Sequence, residues 1–170
     1  MALAFSGSGP DLGAKEYNLT DPPPDTSPPT TSDHSPAKGA AGVSRTADIS
    51  LTISDSGDGV DISTIQLTEE GNLHCCSGQT CTGGTADLTC TGSPASYDVT
   101  LSSRNYSYDQ EVNVSIDASD LADTPNDMTT ETYSYTVESE SQSTEFYFSV
   151  PGNLTINIIV GDGNLDVQAK

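Results

Sequence analysis

The chain has 170 residues and carries 25 acids against five bases, for a formal net charge of −20. The bases (Lys15, Lys38, Arg45, Arg104 and Lys170) are scattered, so no basic stripe exists to displace counterions from nucleic acid, and anionic membrane surfaces repel such a chain. No stretch is apolar enough to span a bilayer, so membrane insertion is not expected. An acidic surface of this kind favours solubility and metal cations. The sequence has no Trp and is rich in Ser, Thr, Val, Ile and Tyr, the profile of strands and turns. No window holds sustained helical apolar spacing, so the chain reads as all-β.

Residues 1–27 form an extended N-terminal segment. It opens with MALAFSGSGP, which lacks the basic and long apolar regions of a secretory signal. Leu3 and Phe5 alternate as in a short strand. The segment ends in DPPPDTSPP, a semi-rigid spacer. Residues 28–139 read as strand after strand. HSPAKGAAGVS is a loop or irregular edge strand. ADISLTISD alternates cleanly through Ile49, Leu51 and Ile53, then turns at SGDG. ISTIQLTEE follows with Ile65 and Leu67 inward. GNLHCC leads into the cysteine loop SGQTCTGGTADLTC. SYDVTLSS turns Tyr97, Val99 and Leu101 inward, EVNVSID does so with Val112, Val114 and Ile116, and TTETYSYTVES with Tyr133, Tyr135 and Val137. Seven or so short strands with turn signals every ten residues predict an antiparallel β-sandwich. Residues 140–170 add STEFYFSV, NLTINIIV and NLDVQA, a C-terminal strand extension. Leu154, Ile156, Ile158 and Val160 lie at alternate positions of its most hydrophobic strand and call for a partner sheet, so these strands extend the sandwich, form a small second sheet or pair with another molecule.

Cys75, Cys76, Cys81 and Cys90 are an even set, close together, and point to disulfides. Neighbours on a strand face opposite ways, so Cys75 and Cys76 take different partners. Two pairings remain: Cys75–Cys81 with Cys76–Cys90, or Cys75–Cys90 with Cys76–Cys81. A zinc site including His74 is the rival, against which stands the absence of paired C-x-x-C knuckles. Four sequons, at Asn18, Asn105, Asn113 and Asn153, are candidate glycosylation acceptors.

Two strands run into aspartates spaced three apart: Asp55, Asp58 and Asp61 after the first, then Asp117, Asp120 and Asp123 after the second. Turns of neighbouring strands meet at one end of a sandwich. The six carboxylates, with Asn126 and Asp127 behind them, are therefore candidate ligands for calcium, which takes six to eight oxygens. Calcium is the one cofactor suggested. Turns also favour Asp for its backbone bonding alone. No acid sits in an apolar run that would raise its pKa, and His34 and His74 have no evident serine or metal partner, so no catalytic residue is assigned and an enzyme is not expected. Tyr97, Tyr133 and Tyr135 read as core. Tyr106 and Tyr108 are left open between core and a sugar-binding platform.

HSPAKGAAGVSRTADISLTISDSGDGVDISTIQLT and YDVTLSSRNYSYDQEVNVSIDASDLADTPNDMTTETYSYTV resemble the Ig-like domains repeated in large bacterial surface proteins. The likeness covers about two thirds of the chain. It implies an H-S-P or Y-P-x-x-G opening, an acidic turn after the second strand, and a D-x-x-G-N-x-M-like loop before the last strand. That loop here runs from Asp120 to Met128 and departs from the pattern through Asp123 and an inserted Thr-Pro. The cysteine loop is not general to that family. GSGPDLGAKEY is similar to the closing rung of right-handed parallel β-helix surface proteins. The expectation is an extracellular or cell-surface structural or adhesive module. Copies of the chain would assemble into a fibre by exchanging a terminal strand, from Met1–Leu19 or Asn153–Lys170. A carbohydrate-binding accessory domain contacting glycan or cell surface, or a virion surface domain, is the alternative.

Overall fold

The computed structural model describes residues 23–141 and the backbone of three strands between 144 and 169. No helix occurs among the described residues. The strands are β1 (Thr30–Ser35), β2 (Ile49–Ser54), β3 (Gln66–Glu69), β4 (Asn72–Cys76), β5 (Thr85–Ser93), β6 (Ser96–Leu101), β7 (Glu111–Asp117), β8 (Glu131–Thr136), β9 (Thr144–Val150), β10 (Leu154–Gly161) and β11 (Asn164–Ala169). The first eight form one mixed, strongly curled sheet in the order β1-β2-β6-β5-β4-β3-β7-β8. The last three form a separate sheet with β10 at its centre.

Alternation places the core. In β2 the buried positions are Ile49, Leu51 and Ile53; β6 contributes Tyr97, Val99 and Leu101; β7 contributes Val112, Val114 and Ile116. Tyr133 and Tyr135 of β8 close it with Val137 just past that strand, as do Leu67 of β3 and Ile65 just before it. Each of the aliphatic side chains, fully withdrawn from water, stabilises the fold by about 1.5–3 kcal/mol. All of these inward positions are those the alternation predicts.

The sheet falls into two antiparallel quartets, β1-β2-β6-β5 and β4-β3-β7-β8. They join where β4 runs parallel to β5, through only two registered pairs, His74↔Thr85 and Cys76↔Leu88, with a register shift between them. At the opposite side the outer edges of the curl meet as well. Past β1, the stretch from Gly39 to Val43 runs alongside β8. Gly39 N–H donates to the Ser134 carbonyl, Val43 N–H to that of Thr136, and Thr136 N–H to that of Ala40. Val43 and Val137 form a parallel bridge. Thus the edge groups of β8 that would otherwise invite another chain are satisfied internally.

Two strands escape the sequence pattern. β1, TTSDHS, is an edge strand with no fully buried residue, so it shows no alternation. β5 lies inside the cysteine loop, where only Leu88 is buried. The expected strand ISTIQLTEE is shorter than its pattern. Asp61 caps a turn at its start, accepting hydrogen bonds from the N–H and hydroxyl of Ser63, and β3 begins only at Gln66.

In the C-terminal sheet β10 pairs antiparallel with both β9 and β11. Its backbone is therefore satisfied on both edges within the chain. The register sets Phe146, Phe148 and Val150 beside Ile158, Ile156 and Leu154, and Leu165, Val167 and Ala169 beside Val160, Ile158 and Ile156. One face of this sheet is accordingly apolar in sequence throughout, apart from Thr144 at one end.

Candidate functional site

The two acidic loops converge, as expected. Asp61 N–H donates to the Ser119 carbonyl and Leu121 N–H to that of Gly59, while Val60 bridges Asp120. Val60 N–H also reaches the Pro94 carbonyl, which ties the β5–β6 hairpin to the same end.

Within this end, three carboxylates come together: Asp25, Asp55 and Asp120, each offering an oxygen within 4.8 Å of the others. Asp55 and Asp120 belong to the predicted ladders. Asp25 does not; it comes from the Pro-rich segment ahead of β1. Asp55 Oδ1 accepts from the N–H groups of Gly57 and Gly59, at 2.8 and 3.0 Å. Asp120 Oδ1 accepts from the N–H groups of Ala122 and Asn126, and its Oδ2 from the Asn126 side chain at 2.6 Å. Asp25 accepts from Ser27 N–H at 2.9 Å and Asp58 N–H at 3.0 Å. Those two backbone donors, Ser27 first, hold the Asp25 carboxyl below the usual range. Burial alone would raise the Asp120 carboxyl; the side chain and N–H of Asn126, with Ala122, outweigh it and hold it low.

The other four predicted ligands stand apart from this cluster. Asp61 is engaged by Ser63, and Asp117 accepts the Thr130 hydroxyl. Asp58 and Asp123 are exposed, and with Pro24, Asp25, Ala122 and Thr124 they line a small hollow beside the cluster. A spacing of three through turns does not keep side chains on one side, which is why the ladders overstate the set. Asn126 is integral to the cluster, while Asp127 is turned to the Ser119 hydroxyl.

The cysteines resolve to Cys75–Cys81 and Cys76–Cys90, the first of the two pairings left open, and none is free. No thiolate remains for zinc. Cys76–Cys90 bridges β4 to β5, across the parallel junction of the quartets. Disulfides of this kind belong to an oxidising environment.

His74, which showed no partner in sequence, is buried with its Nδ1 2.8 Å from Asp87 Oδ1. Arg104 Nη2 donates to Asp87 Oδ2 at 2.7 Å. Burial opposes ionisation of Asp87, but His74 and Arg104 hold its carboxyl below the usual range. The Nε2 side of His74 faces Glu69 at 3.9 Å. Among the described residues the ring's partners are Asp87, Arg104 and Glu69, and no hydroxyl or thiol hydrogen-bonds it. His34, in β1, lies 2.6 Å from Glu131 Oε1.

Tyr97, Tyr133 and Tyr135 are buried, as their alternation suggests, and so is Tyr106, one of the two tyrosines left open for a sugar platform. Burial, and for Tyr106 the Tyr135 hydroxyl, pushes the Tyr106 and Tyr133 phenols up. Tyr108 is exposed, with the Arg45 guanidinium 4.3 Å from its ring centre. Asn105 is exposed; Asn113 is also exposed, but its N–H and side-chain amide both donate to Glu70. Asn18, Asn153, Met1–Leu19 and the β-helix-like string lie outside the described residues. No family model matches the chain, and no curated protein matches it.

Proposed function

We propose that this chain is a non-enzymatic, extracellular structural or adhesive module of Ig-like type that assembles with copies of itself through its terminal segments. The strand order carries the Ig-like part. The quartet β1-β2-β6-β5 follows the A-B-E-D order of that fold, and β4-β3-β7-β8 follows C-F-G with one added edge strand, β4. The parallel β4–β5 junction then joins what would otherwise be two sheets. Two disulfides in a small β domain support an extracellular location.

The C-terminal sheet supports assembly. Because β10 is paired on both edges, association rests on the apolar face of this sheet and on the outer edges of β9 and β11, rather than on β10 as a donated strand. A second copy is the natural occupant, since an apolar face is complementary to its own kind in a symmetric contact.

Electron microscopy of the full chain, a chain starting at Pro23 and a chain ending at Ser141 tests this reading. Filaments or discrete assemblies from the full chain, lost on at least one truncation, are expected. Assemblies that persist in both truncated chains overturn it.

A further inference from the structure

We propose that Asp25, Asp55 and Asp120 hold one divalent cation, calcium by their all-oxygen chemistry, and that the ion fastens the Pro-rich segment ahead of β1 to the acidic end of the curled sheet. The spacing fits a single ion. Calcium–oxygen distances are about 2.3–2.6 Å, so oxygens around one ion lie up to about 5 Å apart, and the three carboxylate oxygens lie within 4.8 Å of one another.

The second observation is Asp55 itself. The residue is only 8% exposed, its Oδ1 is engaged by two backbone donors, and its Oδ2 is buried without a hydrogen-bond partner. A buried carboxylate oxygen with nothing to bond is costly unless a cation meets it. Among the described residues no protein cation does so: the salt bridges there involve His34, Lys38, His74 and Arg104, all with other acids. The backbone donors around the three carboxylates are neutral and leave a cluster of three negative charges uncompensated. Hard oxygen ligands with no thiolate or imidazole select calcium over zinc. Water entering from the adjoining hollow, which Asp25 also lines, would complete the shell.

The ion would act as a latch because Asp25 reaches the site from outside the sheet. Its carboxylate lies directly on Gly57, where an added Cβ would stand 1.8 Å from Oδ2. Its carbonyl accepts from the Asn126 side chain at 3.3 Å. Bound cation would thus set the angle at which the preceding chain leaves the domain. This holds whether or not copies assemble.

Calorimetric titration of calcium into the chelator-treated full chain is the test, with amide chemical shifts followed in parallel. One saturable site is expected, with a Kd of about 0.1–1 mM, the range of extracellular modules. The largest shifts should fall on Ser27, Gly57, Asp58, Gly59 and Asn126. Asp25→Asn removes a ligand without touching the core. Gly57→Ala keeps every carboxylate but fills the seat of Asp25. Each should weaken binding about tenfold or more, while Asp98→Asn, on exposed β6 surface, leaves it unchanged. Absence of saturable binding by the full chain, or undiminished affinity in either Asp25→Asn or Gly57→Ala, overturns the proposal.

Discussion

Glu131 fastens the first strand of the curled sheet to the last. It accepts the Thr31 hydroxyl, meets His34 at 2.6 Å and receives Lys38 Nζ at 3.0 Å. Burial alone would raise its carboxyl; Thr31, Lys38 and His34 together hold it below the ordinary 4.5. A depressed folded-state value means stability that is present above the ordinary value and lost as pH falls through the folded one. Denaturant melts across acid pH should therefore show stability declining below pH 4.5. Glu131→Gln should cost about 1–2 kcal/mol at neutral pH and flatten that decline. An unchanged acid limb in Glu131→Gln would refute the assignment. At this scale the sequence was partly legible. The alternating core residues and the acids Asp55 and Asp120 stand out by their pattern. Asp25 does not, because it is separated from its neighbours in space by a proline-rich stretch and shares no period with them. His74 and Asp87 form a pair across the parallel junction, a pairing that no local pattern encodes.

Strands that bury every second residue announce themselves. β2, β6, β7 and β8 do so, and the turns between them carry Asp and Gly. β1 and β5 bury too little to alternate, and their places come from hydrogen bonding to neighbours and from covalent linkage. The parallel β4–β5 contact is short, with two registered pairs, so the Cys76–Cys90 bond across it is expected to matter more than its loop length alone suggests. In the chain-entropy view a loop of this length contributes about 3 kcal/mol, and the shorter Cys75–Cys81 loop about 2 kcal/mol. Replacing Cys76 and Cys90 together by Ala should lower stability by at least that larger amount. It should also expose the amides of β4 and β5 to hydrogen exchange before those of β2 and β6. Replacing Cys75 and Cys81 should leave the junction amides protected. Uniform loss of protection in both variants would show that the junction is not a separate weak point.

The whole chain divides its chemistry between two sheets. The curled sheet has a complete core, its edges meet through Gly39–Val43 and β8, and its acidic end gathers carboxylates rather than apolar surface. The three-stranded C-terminal sheet concentrates apolar residues on one face by its register. The extra strands were readable from alternation, but their closure into a sheet of their own was not, since any of three partners satisfies the same pattern. A net charge of −20 opposes contact between copies except where apolar surface overcomes it, so the proposed self-association would fall on this face. Sedimentation equilibrium on the full chain and on two β10 variants tests that most directly. Ile156→Asp with Ile158→Asp charges the apolar face, whereas Thr155→Asp with Asn157→Asp charges the opposite face of the same strand. The full chain and the second variant are expected to show a concentration-dependent mass above the monomer, and the first variant a monomer. A monomeric full chain, or equal masses for the two variants, would contradict association through this face.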